Sequence, residues 1–166
     1  INRLLELSGM IIATLCIFVF ISVISYSPFD PSLNNLNSSE VTNLGGHIGA
    51  NVSDFLIQLF GYFSLLICPV LISWSYKVFF TKKIALFAVN LLLLPLMIIA
   101  ASTFSELIEL SNQNGLIASQ LLNLLINTGF IENSYIFYII IIFLFTAFLL
   151  LFYGAMGLNT NEWSNI

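Results

Sequence analysis

Few side chains in this sequence could carry chemistry, and they lie far apart. His47 is the one histidine, so a multi-histidine metal site cannot form. It lies near a predicted helix start and reads as an exposed or interfacial side chain rather than a pH sensor. Cys16 and Cys68 both fall inside apolar stretches. Two lone thiols there make no metal site and no expected disulfide; they read as small core residues. Neither G-x-x-x-x-G-K-S/T nor G-x-G-x-x-G occurs, so no phosphate cradle is present, and no G-x-S-x-G marks a nucleophile. A transport path needs ionisable groups at mid-membrane. The candidates are Glu6, close enough to Arg3 to pair with it, and Asp54, which reads as an interfacial carboxylate near a helix start. Neither lies at mid-depth. Gln58 and Asn90 are the bulkiest polar residues inside apolar stretches and read as interhelical hydrogen-bonding groups. No catalytic, cofactor-binding or metal-ligating residue is expected, and no cofactor.

The elements around these residues are apolar. The 166 residues are 59% hydrophobic and only 7% charged, against roughly 25% charged in a soluble domain. Mean hydropathy is +1.02. Residues 7–29, 55–76, 84–105 and 133–161 contain no Asp, Glu, Lys or Arg. A bilayer core of about 30 Å needs roughly 20 apolar residues in a helix, and each stretch is long enough. The net charge of −4 comes with no basic stripe of the kind that neutralises phosphates, so nucleic-acid contact is not expected.

The expected fold is an all-α integral membrane protein. Four transmembrane helices lie at about 4–25, 55–76, 84–104 and 135–153, and residues 1–158 form one membrane domain. Residues 159–166 start a cytoplasmic linker. Arg3, Lys77, Lys82 and Lys83 all fall on one face after four crossings, which sets both termini in the cytoplasm. Six acids fall outside (Asp30, Glu40, Asp54, Glu106, Glu109 and Glu132), and Glu6 and Glu162 inside. Residues 77–83 form a short basic turn, and Trp74, Tyr76 and Trp163 read as interfacial anchors. Pro69 is a candidate kink in the second span.

Two outer segments are distinctive. Residues 26–43 form a polar loop in which Pro28 and Pro31 exclude helix. A helix then starts ahead of the second crossing. Gly45, Gly49 and Ser53 make a small-xxx-small row on it, with Gly46 and Ala50 parallel to them, suited to close helix packing. Within 116–127, Leu116, Ile117, Leu121, Leu124 and Leu125 line one side and Ser119, Asn123 and Asn127 the other. That pattern predicts an amphipathic helix on the outer face. Loop 27–43 and helix 116–127 are the expected exposed functional surface, being outside and polar.

Residues 25–32 read S-Y-S-P-F-D-P-S, and about eleven residues on comes N-L-G-G-H-I-G-A-N-V-S-D-F-L-I-Q-L-F-G-Y. This resembles the N-terminal four-helix membrane domain of the FtsK/SpoIIIE family of bacterial DNA translocases. The family pattern falls on Ser25, Tyr26, Asp30, Pro31 and Ser32, then on Asn43, Gly46, Gly49, Ala50, Asp54 and Gly61. Asn114-Gly115 through Gly129 resembles the family's Gly-flanked stretch before the last span. Gly157-Leu158 followed by Trp163 resembles its exit. The tail G-L-N-T-N-E-W departs from the family's more usual G-L-S. The resemblance implies a membrane-anchoring and septum-targeting domain in the bacterial cytoplasmic (inner) membrane. It would belong to a longer, ATP-driven DNA translocase that couples cell division to chromosome segregation, with the chain from Ile1 a piece of it. The ATPase motor would follow downstream and assemble as a hexamer. The implied partners are the lipid bilayer and divisome membrane proteins, with no nucleic acid touched by this segment. The alternative reading is a free-standing small multi-pass transporter or channel subunit.

Overall fold

Lipid offers no hydrogen bonds, so an apolar chain crossing it must pair every backbone N–H and C=O internally. The computed structural model describes residues 2–35, 40–82, 86–110, 115–129, 131 and 133–157. Lys83, Asn114, Glu132, Leu158, Glu162, Trp163 and the linker 159–166 lie outside them. The described residues fold into helices α1 (Asn2–Ile24), α2 (Gly46–Phe60), α3 (Ile67–Tyr76), α4 (Phe87–Leu107), α5 (Leu116–Asn127) and α6 (Ser134–Met156). A 3₁₀ segment, Gly61–Leu66, joins α2 to α3, and α3 runs on as a π-helical turn, Lys77–Thr81. No strand occurs among the described residues. Four of their segments are long and apolar enough to cross a membrane: Arg3–Ile24, Gly46–Thr81, Phe87–Leu107 and Ser134–Met156.

The helices associate in two pairs. α1 lies along α2 and α3, α4 lies along α6, and α3 joins the pairs by also touching α6. Each pair has its own core. Cys16, Val19 and Val23 of α1 pack with Ile57 and Cys68. Val70 and Trp74 pack with Met97, Ile98 and Ala155. Small members among them, Cys16 against Cys68 and Ala155 in the second core, let helix backbones approach where lipid supplies no hydrophobic push. Cys16 Sγ donates to the Cys68 carbonyl at 3.5 Å, and both thiols are free.

Span 2 is broken at Gly61, not at Pro69. Gly61 has φ 64° and ψ −160°, a region open essentially to glycine alone. Register shows why the break is needed. Gly49 lies against Ser22, and Cys68 lies against Cys16. Between those contacts α1 advances six residues, about 9 Å, while the partner strand of chain advances nineteen, about 28 Å if straight. The helix therefore has to turn, and Gly61 is where it does. Pro69 falls in the first turn of α3, where its missing N–H costs least.

The same break seats α5. Gly115 precedes α5 with φ 85° and ψ 163°. A Cβ there would stand 2.5 Å from the Leu59 carbonyl oxygen and from Gly61 N. Two glycine backbones thus meet directly. The amphipathic helix occupies the expected range, and small residues rather than the leucine row form its protein-facing side. Ala118 is its fully buried residue, and Ser119 donates to Glu106 at 3.2 Å. Leu116 and Leu124 are exposed. The reason is size: a methyl side chain lets α5 lie close to α4, which a leucine would hold off.

Gly115→Ala is expected to cost roughly 1–3 kcal/mol from backbone geometry alone, and more from the collision with Leu59. Gly46→Ala bears a backbone cost of about 1–2 kcal/mol only, because Gly46 has φ +64° and open space around its Cβ. Unfolding in mixed micelles by SDS titration should rank the two in that order. Equal losses would remove the Leu59 approach as the reason for glycine at 115.

Candidate functional site at the two ends of the bundle

A helix end leaves carbonyls without partners. At the end of α1 the side chain of Asn43 supplies them. Its amide donates to the carbonyls of Ser22 (2.8 Å) and Ser25 (3.3 Å) and to Ser53 Oγ (3.2 Å). Its oxygen accepts the Gly45 N–H at 2.9 Å. Asp30 in turn holds the segment bearing Asn43. Its carboxylate accepts from the Thr42 N–H (2.9 Å) and hydroxyl (2.7 Å) and from the Asn43 N–H (2.8 Å). Glycine at 45 and 49 makes room, since a Cβ would lie 2.6 Å and 2.9 Å from Ser22 Oγ. Gly46 belongs to no packing row: it faces open space and serves the turn closed by its own N–H on the Asn43 carbonyl.

A second carboxylate stands beside the first. Asp54 accepts from the Ser32 hydroxyl at 2.6 Å, the Gln58 amide at 2.9 Å and the Tyr26 hydroxyl at 3.4 Å. Asp54 is only 7% exposed, which corrects its reading as an interfacial carboxylate: the loop folds back over it. Ser25, Tyr26, Asp30, Ser32, Asn43, Gly49 and Asp54 thus belong to one clamp between α1 and α2. Pro31 links its two carboxylate sites, Ala50 is buried on α2, and Gly61 lies apart at the break. His47 is exposed on α2, its carbonyl accepting from the Asn51 side chain at 2.7 Å. Among the described loop residues Asp30 and Asn43 are buried, Asn34, Glu40 and Thr42 are exposed, and apolar Phe29 and Leu33 are exposed beside them, as are Leu44 and Ile48 after the loop. A cleft of about 390 Å³ opens next to Asp54 between Tyr26, Gln58, Tyr62 and Leu116.

Both ionisable members of the clamp outside the spans are shifted. Burial alone would raise Asp30, but the hydrogen bonds from Thr42 and Asn43 outweigh it and hold the carboxyl below its ordinary value. Tyr26 is pushed up, first by burial and then by the charge and hydrogen bond of Asp54.

The opposite end gathers Arg3, Lys77 and Lys82, and the roles of the two lysines differ from those of a solvated turn. Ser73 and Trp74 of α3 and Lys77 of the turn that continues it share one face, and all three donate to carbonyls at the C-terminal end of α6. Ser73 Oγ reaches Met156 O at 2.9 Å, Trp74 Nε1 reaches Ala155 O at 2.8 Å, and Lys77 Nζ reaches Gly157 O. Lys77 is 3% exposed and Trp74 4%. Neither is the surface feature its type suggests. A cation at a helix C-terminus also meets the negative end of the helix dipole. Trp74 further packs edge-on against Phe87, with ring centroids 5.2 Å apart. Glu6 pairs with Lys82 at 2.8 Å rather than with Arg3, because α1 lies against the turn after α3. Ser75 donates to the Gly9 carbonyl at 2.8 Å, and a Cβ at Gly9 would press on Phe79 at 3.0 Å. Arg3 is exposed. Charge counting finds these residues, but the three-donor face needs the fold. Its one local trace is a serine and a tryptophan placed a helical turn ahead of the lysine.

Four apolar segments, with a hydrogen-bonded clamp at one end and basic residues and helix termini at the other, define a multi-pass membrane domain. Comparison with known proteins gives its family. The profile described as the 4TM region of DNA translocase FtsK/SpoIIIE matches residues 2–164, and the chain belongs to that family. Among individual relatives, it is 29% identical over 113 residues to a DNA translocase FtsK of Rickettsia prowazekii (strain Madrid E). It is 30% identical over 84 residues to one of Azospirillum brasilense. These alignments cover 66% and 49% of this chain but 15% and 13% of the relatives, so the chain spans a small part of the proteins it matches. No solved structure matches it.

Two outcomes follow from the two ends. Trp74→Phe keeps the ring and orphans the Ala155 carbonyl, so it is expected to cost about 1–3 kcal/mol. A silent change in SDS unfolding would return Trp74 to a plain packing role. Asp30 stabilises the fold above the unfolded carboxyl value of about 3.9. That contribution is lost as pH falls through its lowered folded value. Asp30→Asn should therefore be less stable at pH 7 and show a flatter acid limb of unfolding. An unchanged acid limb would contradict this.

Proposed function

We propose that this domain anchors a DNA translocase in the bacterial cytoplasmic membrane and holds it at the division septum, coupling division to chromosome segregation. The observation that carries the reading is the family match over 2–164. The geometry supports it. The N-terminus of α1, the basic residues and the C-terminal end of α6 all gather at one end of the bundle. The positive-inside rule puts that end in the cytoplasm, where a downstream ATP-driven hexameric motor would act on DNA. The opposite end would then face outward, with the clamp, α5 and the exposed Phe29, Leu33, Leu44 and Ile48 available to divisome membrane proteins. The segment itself would need no cofactor and touch no nucleic acid.

The test is a replacement. Residues 1–166 are substituted for the matching region of the Azospirillum brasilense FtsK, with a fluorescent tag, and the cells are imaged. A septal band is expected, and uniform membrane fluorescence would overturn the reading. Orientation is checked separately with Cys16 and Cys68 replaced by alanine. An impermeant thiol reagent should label Glu40→Cys in intact cells and Thr81→Cys only after permeabilisation. The reverse pattern would invert the topology.

A further inference from the structure

α5 packs against α4 and α2, and an apolar cleft of about 510 Å³ separates it from α6. Leu121 and Leu124 of α5 form one wall, Ile136, Ile140 and Phe143 of α6 the other, and Thr103 of α4 closes it. All the surface facing the cleft is apolar, and the Thr103 hydroxyl is itself buried, without a partner. The volume lies in the range of small-molecule sites, about 300–1,000 Å³.

Position identifies the occupant. Ile136 is the third residue of α6, and Leu144, the deepest residue of the lining, lies eight residues further in. The cleft therefore runs about 12 Å along the helix, less than half of a hydrocarbon core of about 30 Å. It belongs to one leaflet, that at the clamp end. Its rim is open to the bilayer: Phe143 is 67% and Leu124 60% exposed. Water does not fill an apolar cavity, and an empty one forfeits dispersion contacts on both walls. With the Thr103 hydroxyl buried, the surface facing the cleft offers no donor or acceptor by which a headgroup or a polypeptide could be recognised. We propose that the cleft holds an acyl chain of a phospholipid from this leaflet, which serves as a wedge fixing α5 relative to α6. Selectivity falls on the chain and not on the headgroup. This inference needs only a membrane location and is independent of the septal role.

The test reconstitutes the full chain in nanodiscs containing phosphatidylcholine with a diazirine in its acyl chain, followed by photolysis and peptide mapping. Adducts are expected on 121–125 and 136–144, several-fold above those on the comparably exposed Ile17, Phe20 and Ile24 at the same end of α1. Leu124→Trp, which fills the cleft, should abolish the excess while thermal unfolding remains cooperative. If that variant does not fold, Ile140→Phe makes the same test from the other wall. Labelling that merely follows exposure, or an excess that survives filling in a folded variant, overturns the proposal. So does an excess that appears only when the nanodiscs hold one copy each, since a second chain would then be the normal occupant.

Discussion

Helix ends without water govern this structure. A spanning helix satisfies its own middle, but its final carbonyls have no intrahelical donor, and close to the hydrocarbon there is little solvent to replace one. Both C-terminal ends that matter here are closed by side chains from another segment. Asn43 closes α1, and Ser73, Trp74 and Lys77 close α6. In each case the capping residue ties a helix end to a segment distant in sequence, so satisfying a carbonyl also fixes tertiary structure. The glycines follow from this. Asn43 can reach the Ser22 carbonyl only because Gly45 and Gly49 let the start of α2 lie against α1.

The same requirement explains why the break in span 2 is tolerated. A φ of 64° at Gly61 interrupts the helical ladder within a segment that otherwise qualifies as a span. Irregular backbone at membrane depth survives where protein covers it. Here the cover is Gly115 and the first turn of α5, brought within Cβ distance of Leu59 and Gly61. The amphipathic helix is therefore more than an ornament on the bundle, because its N-terminus shields the break within span 2.

The four spans were legible in the sequence because they depend on composition, which acts locally and additively over some twenty residues. The range of α5 was legible for the same reason, through periodicity. The roles of individual polar residues were not. Asp54 read as an interfacial carboxylate and Lys77 as part of a basic turn, yet both are buried by contacts 22 and 80 residues away in sequence. Only the fold decides whether a carboxylate near a helix start meets water or a Ser32 hydroxyl. Pro69 misled in the opposite way. Its chemistry is a true helix breaker, but placed in a first turn it breaks nothing, whereas Gly61 carries the bend through a freedom that leaves no periodic trace. The motif residues Ser25 to Asp54 could be picked out by resemblance, but their union into one clamp could not.

The two attachments at the basic end differ in strength, and the difference has a direction. The Glu6–Lys82 pair is 26–37% exposed, and such pairs contribute about 0–1 kcal/mol, less at high salt. The clasp on α6 joins three donors to three consecutive carbonyls with Lys77 and Trp74 excluded from solvent, where each bond lost leaves a buried acceptor unpaired. The last span is thus held more firmly to α3 than the first span is held by its ion pair. A pull on the chain beyond Gly157 would be taken first by α3. From there it passes to α1 through the backbone-close contacts at Gly9 and at the Cys16–Cys68 pair. If a motor hangs from this domain, its load is carried by the seam of small residues rather than by the surface charges that set the topology.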